Sequence, residues 1–223
     1  MQFKAIRKNP SAPQADAKIL EALRDIPVAA LSDNMHRNIG SVGLRPYHRA
    51  GKKTMAGTAV TLKSRGGCNL TMLRAFEFCR PGDVLVMDGS GDMSNAMIGG
   101  ILSFYAAKIG TVGVVLDGCI RDLAEIAERE FPVYARGVNH RGPYKDGPGE
   151  INVPVSVGGM VVNPGDIVVG DMDGLMAFSA DDAEWLIEKA RAHLATEAET
   201  IRAMTEGRWD RSFIDALEAR CPN

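Results

Sequence analysis

Two short residue pairs carry the most chemistry in this sequence. Gly99-Gly100 precedes a helical pattern, and Arg121-Asp122 follows after residues 101–120. Glycines at a helix start leave backbone N–H groups bare, and such groups meet an anion favourably. Arg121 is of the type that grips a carboxylate through two parallel hydrogen bonds and stabilises a developing enolate oxygen. Asp122 beside it can hold a hard divalent cation, directly or through bound water. Together they suit a reaction on a carboxylate-bearing substrate in which negative charge develops. From spacing alone the same pair also reads as an ordinary helix start, where the dipole favours Asp.

The neighbouring elements decide where these pairs point. Val84–Met87 and Val112–Leu116 read as short buried strands, ending near Asp88 and at the Asp117-Gly118 turn. Ligands in α/β sheets gather outside the carboxyl ends of strands, so these two ends bracket a site. A helix is predicted from about Ser94 to Ile109 and another from about Arg121 to Glu130. Upstream, Ala17, Ile19, Leu20, Leu23 and Ile26 have helical spacing up to Pro27, and a short helix covers 28–37. Residues 56–63 read as a strand, and Gly66-Gly67 opens a helix carrying Leu70, Leu73 and Phe76. Pro81-Gly82-Asp83 and Pro164-Gly165-Asp166 are matching turns, each feeding an apolar strand. Residues 132–138 and 151–157 look extended, Asp173-Gly174 reads as a hairpin turn, and Ser179 with Asp182 as a capping box for a helix reaching about Glu206. The segment 139–149 is long and rich in Gly, Pro, Asn, His and Arg, which marks it as a functional loop. Alternating strands and helices without a linker give one α/β domain with a mixed sheet over residues 1–223, its core about 28–178 and its C-terminal helix about 180–206.

Composition narrows the function. Of 223 residues, 45% are apolar and 24% charged, ordinary globular values that exclude wholesale disorder. Lys plus Arg is 26 against 28 acidic residues, so bulk electrostatics are not built to hold nucleic acid. No apolar run spans a bilayer, and the stretch Met1–Lys8 lacks the apolar segment of a signal peptide; the expected location is cytoplasmic. Cys68, Cys79, Cys119 and Cys221 have no metal-site spacing and read as free thiols.

The order of motifs resembles the RraA-like family of metal-dependent aldolases, which includes 4-hydroxy-4-methyl-2-oxoglutarate and 4-carboxy-4-hydroxy-2-oxoadipate aldolases and regulators of ribonuclease E. The resemblance runs from about Ser32 to Gly207. It rests on Ser32-Asp33, Gly57-Thr58-Ala59, Asn69-Leu70, Pro81-Gly82-Asp83, Gly100 with Arg121-Asp122, Val115-Leu116-Asp117-Gly118 and Gly170-Asp171-Met172-Asp173-Gly174; Arg141–Pro154 resembles a subgroup. It implies a swivelling β/β/α-type sandwich and a pyruvyl site using Mg²⁺ or Mn²⁺, with Arg121 and Asp122 catalytic. Arg121 would bind the keto and enolate oxygens, and Asp122 the metal, largely through water. Gly99, Gly100 and the amides of Ile101, Leu102 and Ser103 would receive the substrate carboxylate, with Asn69 also in the substrate site. Glu197, with Glu199 as alternative, would reach a neighbouring subunit's metal shell in a homotrimer or dimer of trimers. The implied reaction cleaves a 4-hydroxy-2-oxo acid to pyruvate and a second 2-oxo acid, with oxaloacetate decarboxylation as a side activity.

The chain departs from this pattern at two points. Gly100 stands where active members carry an acid, and Gly67-Cys68-Asn69 replaces Gly-Asp-Asn; Asp92 and Asp117 are the candidate substitutes. Arg141 or Lys145 could bind a second substrate carboxylate, although the segment reads more readily as a solvated loop. A Schiff-base route would need Lys63 or Lys108, which read better as surface lysines. Asp88-Gly89-Ser90-Gly91 lacks the third glycine of a dinucleotide fingerprint, which argues against a methyltransferase. His36, His48, His140 and His193 show no metal-binding spacing. The competing reading is a regulator that binds a ribonuclease partner without chemistry. A phosphohistidine carrier fits poorly, since no His sits in a Gly/Ser/Thr-rich loop.

Overall fold

The computed structural model describes residues 5–51 and 53–220. Met1–Lys4, Lys52 and Cys221–Asn223 lie outside the described residues, and with them half of the Met1–Lys8 stretch and one of the four cysteines. In chain order the elements are β1 (Ile6–Lys8), α1 (Ala17–Leu23), α2 (Val28–Asp33), β2 (Arg45–Pro46), β3 (Met55–Ser64), α3 (Leu70–Ala75), β4 (Asp83–Ile98), α4 (Gly100–Lys108), β5 (Gly113–Ile120), α5 (Leu123–Ala127), β6 (Val133–Val138), β7 (Gly149–Ile151), β8 (Val155–Val157), β9 (Met160–Val162), β10 (Ile167–Gly170), β11 (Leu175–Phe178), α6 (Ala183–Thr205) and α7 (Phe213–Glu218).

Strands β3, β4, β5 and β6 run parallel side by side. Their apolar runs are continuous because both faces are covered, as parallel sheets require. Alternate residues of β4 separate cleanly: Val84 and Val86 pack with α1, α2, α6 and the β8–β11 region, while Leu85 and Met87 pack towards α3, α4 and α5. The sheet is mixed because β3 takes two antiparallel neighbours on its other edge. Its first half pairs with β10 through Ile167↔Thr58, and its end pairs with β7 through Leu62↔Ile151. The two Pro-Gly-Asp turns serve the same strand: the Gly82 carbonyl accepts from Thr58 N at 3.2 Å, and Gly165 N donates to Ala59 O at 3.0 Å. Asp173-Gly174 does close the β10–β11 hairpin.

Three expectations change. Ser94–Ile98 is strand, not helix: Ala96 pairs with Cys119 and Ile98 with Ile120, and Gly99-Gly100 withholds helix propensity until residue 100. Asp117-Gly118 is not a turn, because β5 continues through it to Ile120. Of the capping box only half forms: Ser179 accepts from Asp181 N at 3.3 Å at the head of a 3₁₀ turn, Ala180–Asp182, and Asp182 then precedes α6 without a side-chain cap. The short β1, β2 and α7 have no periodic signal and were not expected.

Candidate active site

The extensions of β4 and β5 place the two residue pairs together. Beyond Asp88↔Asp117 the register shifts repeatedly, and the strands meet again at Ile98↔Ile120. Such bulges bend a strand and re-aim the residues beyond them. Gly99 and Arg121 are therefore the next residues of two paired neighbours, and Arg121 N donates to Ile98 O at 3.0 Å. The site lies one strand segment beyond the ends near Asp88 and Asp117 expected from the apolar runs.

Each pair fits the other closely. Gly100 N donates to Asp122 Oδ2 at 2.9 Å, and Arg121 Nε lies 3.7 Å from the same oxygen. A methyl on Gly99 would overlap that oxygen and stand 3.0 Å from Arg121 Cγ, so glycine here makes room for both side chains. Asp122 caps α5 in the left-handed region at φ 55°, ψ 41°. That conformation costs a non-glycine residue about 1–2 kcal/mol and marks a position held by its surroundings.

Helix α4 begins with the amides of Gly100, Ile101 and Leu102, which have no acceptor within the helix. Asp122 takes the first, leaving Ile101 and Leu102 towards the site. Ser103 departs from expectation: its N–H donates to Gly99 O at 3.0 Å within the helix, and its side chain is buried with Oγ donating to Gly100 O. Ile101, Leu102, Gly99, Arg121 and Asp122 line a cleft of about 370 Å³.

The opposite wall comes from two other segments. Asn69 and Leu73 of the α3 start line it, and so do Gly142, Pro143 and Lys145. The 139–149 loop is thus part of the site. It is pinned by Asn95 Nδ2 to Gly142 O (2.7 Å), Tyr144 N to Gly67 O (2.8 Å) and Gly147 N to Cys68 Sγ (3.2 Å). Cys68, where the family pattern has Asp, is a buried anchor for this loop. Asn69 is 5% exposed and lines the cleft, and its Oδ1 is buried without a hydrogen-bond partner among the described residues. An unsatisfied buried group of this kind costs about 1–3 kcal/mol. No ion pair holds Lys145 among the described residues; Arg141 does not line the cleft.

The remaining candidates fall elsewhere. Asp117 is buried and fully engaged, its Oδ1 2.5 Å from Arg136 Nε and its Oδ2 2.7 Å from Gly158 N. The hydrogen bond to Asp117 pushes the Arg136 pKa up, and the pair is structural. Asp92 is engaged with Ser94, whose hydroxyl donates at 2.7 Å. Burial, then the Asp92 carboxylate, raises the Cys119 pKa and keeps it a thiol rather than a nucleophile. Lys63 and Lys108 are exposed and outside the cleft. Glu197 sits on α6 with His193 Nε2 at 3.1 Å, that imidazole also lying 3.5 Å from Asp33, and among the described residues no hydrogen bond or ion pair joins Glu197 to Asp122. Glu199 pairs with Arg202 and Arg208.

The donor set fits a hard cation held through water. Asp122 is one carboxylate with its Oδ1 unclaimed, and no three His, Cys, Asp or Glu residues form a cage among the described residues. Mg²⁺ is commonly held by one or two carboxylates while keeping several waters.

The RraA-like family, described as Aldolase/RraA, matches residues 28–177. The chain belongs to the RraA-like family. A Halalkalibacterium halodurans protein provisionally named 4-hydroxy-4-methyl-2-oxoglutarate aldolase is 33% identical over 195 residues, covering 86% of this chain and 91% of that one. Among solved structures, Streptomyces coelicolor RraAS2, described as an unusual member of the RNase ES inhibitor RraA family, superposes with TM-score 0.75 at 25% identity over 84% of this chain and 98% of that one. An uncharacterized Pseudomonas syringae protein shares the fold at TM-score 0.77 and 23% identity, over 88% and 96% of the two chains. The α/β fold implied by the motifs is the fold found. No helix among the described residues is long and apolar enough to cross a membrane.

Proposed function

We propose that this RraA-like protein is a pyruvyl lyase that cleaves a 4-hydroxy-2-oxo acid, such as 4-hydroxy-4-methyl-2-oxoglutarate or 4-carboxy-4-hydroxy-2-oxoadipate, to pyruvate and a second 2-oxo acid. The observation that carries this is the convergence of Arg121, Asp122 and the open start of α4 on one cleft. The Ile101 and Leu102 amides receive the substrate carboxylate at the positive end of the helix. The Arg121 guanidinium faces the keto oxygen, where negative charge develops as the C3–C4 bond breaks. Asp122, held by the Gly100 amide, is the residue that would hold Mg²⁺ or Mn²⁺, largely through water. A divalent cation supplies Lewis-acid polarisation of the keto group and charge stabilisation of the enolate. Lys145 and Asn69 on the far wall meet the distal end of the substrate, and an ammonium there suits a second carboxylate. The same enolate arises when oxaloacetate loses CO₂, so decarboxylation is a side activity.

The assembly we propose is a homotrimer or dimer of trimers in the cytoplasm, with Glu197 of one subunit approaching the metal shell of its neighbour. Exposed Ile201, Met204, Trp209 and Phe213 along the C-terminal arm support burial against another copy. The missing side chain at Gly100 and the likeness to RraAS2 favour one other reading, a regulator that binds a ribonuclease without chemistry. One assay separates them: pyruvate release from 4-hydroxy-4-methyl-2-oxoglutarate and from oxaloacetate, coupled to lactate dehydrogenase, with Mg²⁺, with chelator and with Arg121→Ala. Release that needs both the metal and Arg121 supports the lyase. Its absence in a folded oligomer that binds Mg²⁺ supports the regulator.

A further inference from the structure

Cleavage of a 4-hydroxy-2-oxo acid requires a group that takes the C4 hydroxyl proton. The titratable side chains lining the cleft are Arg121, Asp122 and Lys145. Asp122 is held by the Gly100 amide and, on the reading above, would hold the cation. Asp117 is closed off by Arg136 and Gly158, and Asp92 is engaged by Ser94 within its own strand. One other carboxylate stands beside Gly100, just outside the cleft lining. Glu125 lies one turn beyond Asp122 in α5, on the same face. Its Oε1 pairs with Arg129, whose Nη1 donates to the Gly100 carbonyl at 3.1 Å. Its Oε2 accepts no hydrogen bond from the described residues and rests against the Cα of Gly100, where a side chain at position 100 would begin; a methyl there would overlap it. Gly100 is not in the left-handed region, so its backbone does not demand glycine. A side chain at position 100 would instead have to displace the Glu125 carboxylate, which occupies that space.

We infer that Glu125 is the proton acceptor and donor of the cleavage, working from the place left open at Gly100; this rests on the pyruvyl-lyase reading above. Glu125 is half exposed, and Gly100 lies between two cleft residues, Gly99 and Ile101, so the proton passes through an intervening water. The carboxylate receives the C4 hydroxyl proton as the C3–C4 electron pair moves towards the C2 oxygen, giving a C4 carbonyl and the pyruvate enolate. Protonated Glu125 then returns the proton to C3, forming the methyl group of pyruvate. Nothing is oxidised or reduced. Oxaloacetate decarboxylation has no hydroxyl proton to remove, so it leans on Glu125 less.

The test uses the full-length protein with Mg²⁺ and compares wild type, Glu125→Gln, Glu125→Ala and the double variant Glu125→Ala/Gly100→Asp. Glu125→Gln keeps an acceptor for Arg129. General acid–base help is worth about 10²–10⁴-fold, so kcat for aldol cleavage is expected to fall about 10²-fold or more. KM and pyruvate affinity by calorimetry are expected to stay within about twofold, with oxaloacetate decarboxylation at least about tenfold less affected than cleavage. In the double variant the new carboxylate enters the vacated space and recovers at least about tenfold of the loss in Glu125→Ala. Glu125→Gln cleaving at the wild-type rate overturns the inference, as does a parallel fall in both reactions and in pyruvate affinity, which is the mark of a structural role. A wild type that releases no pyruvate from either substrate removes the lyase reading itself. An active wild type with an unaffected Glu125→Gln removes this inference alone.

Discussion

Gly99→Ala is the most informative single substitution, because it adds one methyl group and no charge. Gly99 is extended at φ −146°, so alanine is acceptable to the backbone. The methyl, however, overlaps Asp122 Oδ2 and crowds Arg121 Cγ at 3.0 Å. Asp122 must swing away and lose the 2.9 Å hydrogen bond from Gly100 N. A hydrogen bond to a charged group is worth about 1.5–3 kcal/mol. If it holds Asp122 where the reaction needs it, kcat/KM falls roughly 10- to 150-fold at about 1.4 kcal/mol per decade. The Mg²⁺ concentration for half-maximal activity rises in step. Stability changes little: alanine is a poorer N-cap than glycine by about 1 kcal/mol, or about 2–4 °C of melting temperature at this size. The assay is initial pyruvate release across a Mg²⁺ titration, beside a thermal melt. Gly51→Ala is the control, since a Cβ there meets only Lys53 O at 3.9 Å, away from the site. A Gly99→Ala protein with wild-type kcat/KM and Mg²⁺ dependence would refute the claim that Gly99 is needed to seat Asp122 and Arg121.

The remaining expectations rest on other contacts. Asp122→Asn keeps a residue that tolerates the left-handed conformation but removes the charge, so half-saturation with Mg²⁺ is expected to rise about 10- to 100-fold, the scale seen for groups that position a metal, with the melting temperature nearly unchanged. Lys145→Ala is expected to raise KM for dicarboxylic substrates while pyruvate affinity, measured by calorimetry, stays the same. Asp117→Asn leaves Arg136 without its counter-charge; we expect about 2 kcal/mol of destabilisation in urea melts, below the ~3–5 of a fully buried pair because Arg136 keeps a third of its surface in water. Burial, opposed by the Val133 backbone hydrogen bond, lowers the His48 pKa below its ordinary value near 6.5. The unfolded chain then binds more protons below that pH, so stability is full above about pH 6.5 and declines as pH falls towards the folded-state value. Melts at pH 7 and pH 5 are expected to show this loss, and His48→Asn, which can still accept from Val133 N, to reduce it.

Much of the molecule was legible in the sequence. The buried strands were visible because both faces of a parallel sheet are apolar, and Pro-Gly turns punctuate them wherever they occur. The pairing of Gly99-Gly100 with Arg121-Asp122 was legible only as a candidate, because from spacing alone the same residues read as an ordinary helix start. The family motifs, read in order, pointed to the same pairs and to the α/β fold.

Three-dimensional packing decided what local pattern cannot encode. Strands β4 and β5 continue past Asp88 and Asp117 because each supplies the other's hydrogen bonds across bulges, a partnership invisible to a window of single residues. That continuation moved the site from the strand ends first expected to Ile98 and Ile120. It closed Asp117 into a structural pair with Arg136 and took the Ser103 amide into its own helix. It brought Lys145 rather than Arg141 to the cleft, since the path of the 139–149 loop is set by anchors at Gly67, Cys68 and Asn95. It also filled the space over Gly100 with Glu125, a residue that carries no motif. A glycine in a sequence announces only a missing side chain. The tertiary structure determines which neighbour occupies the space it leaves.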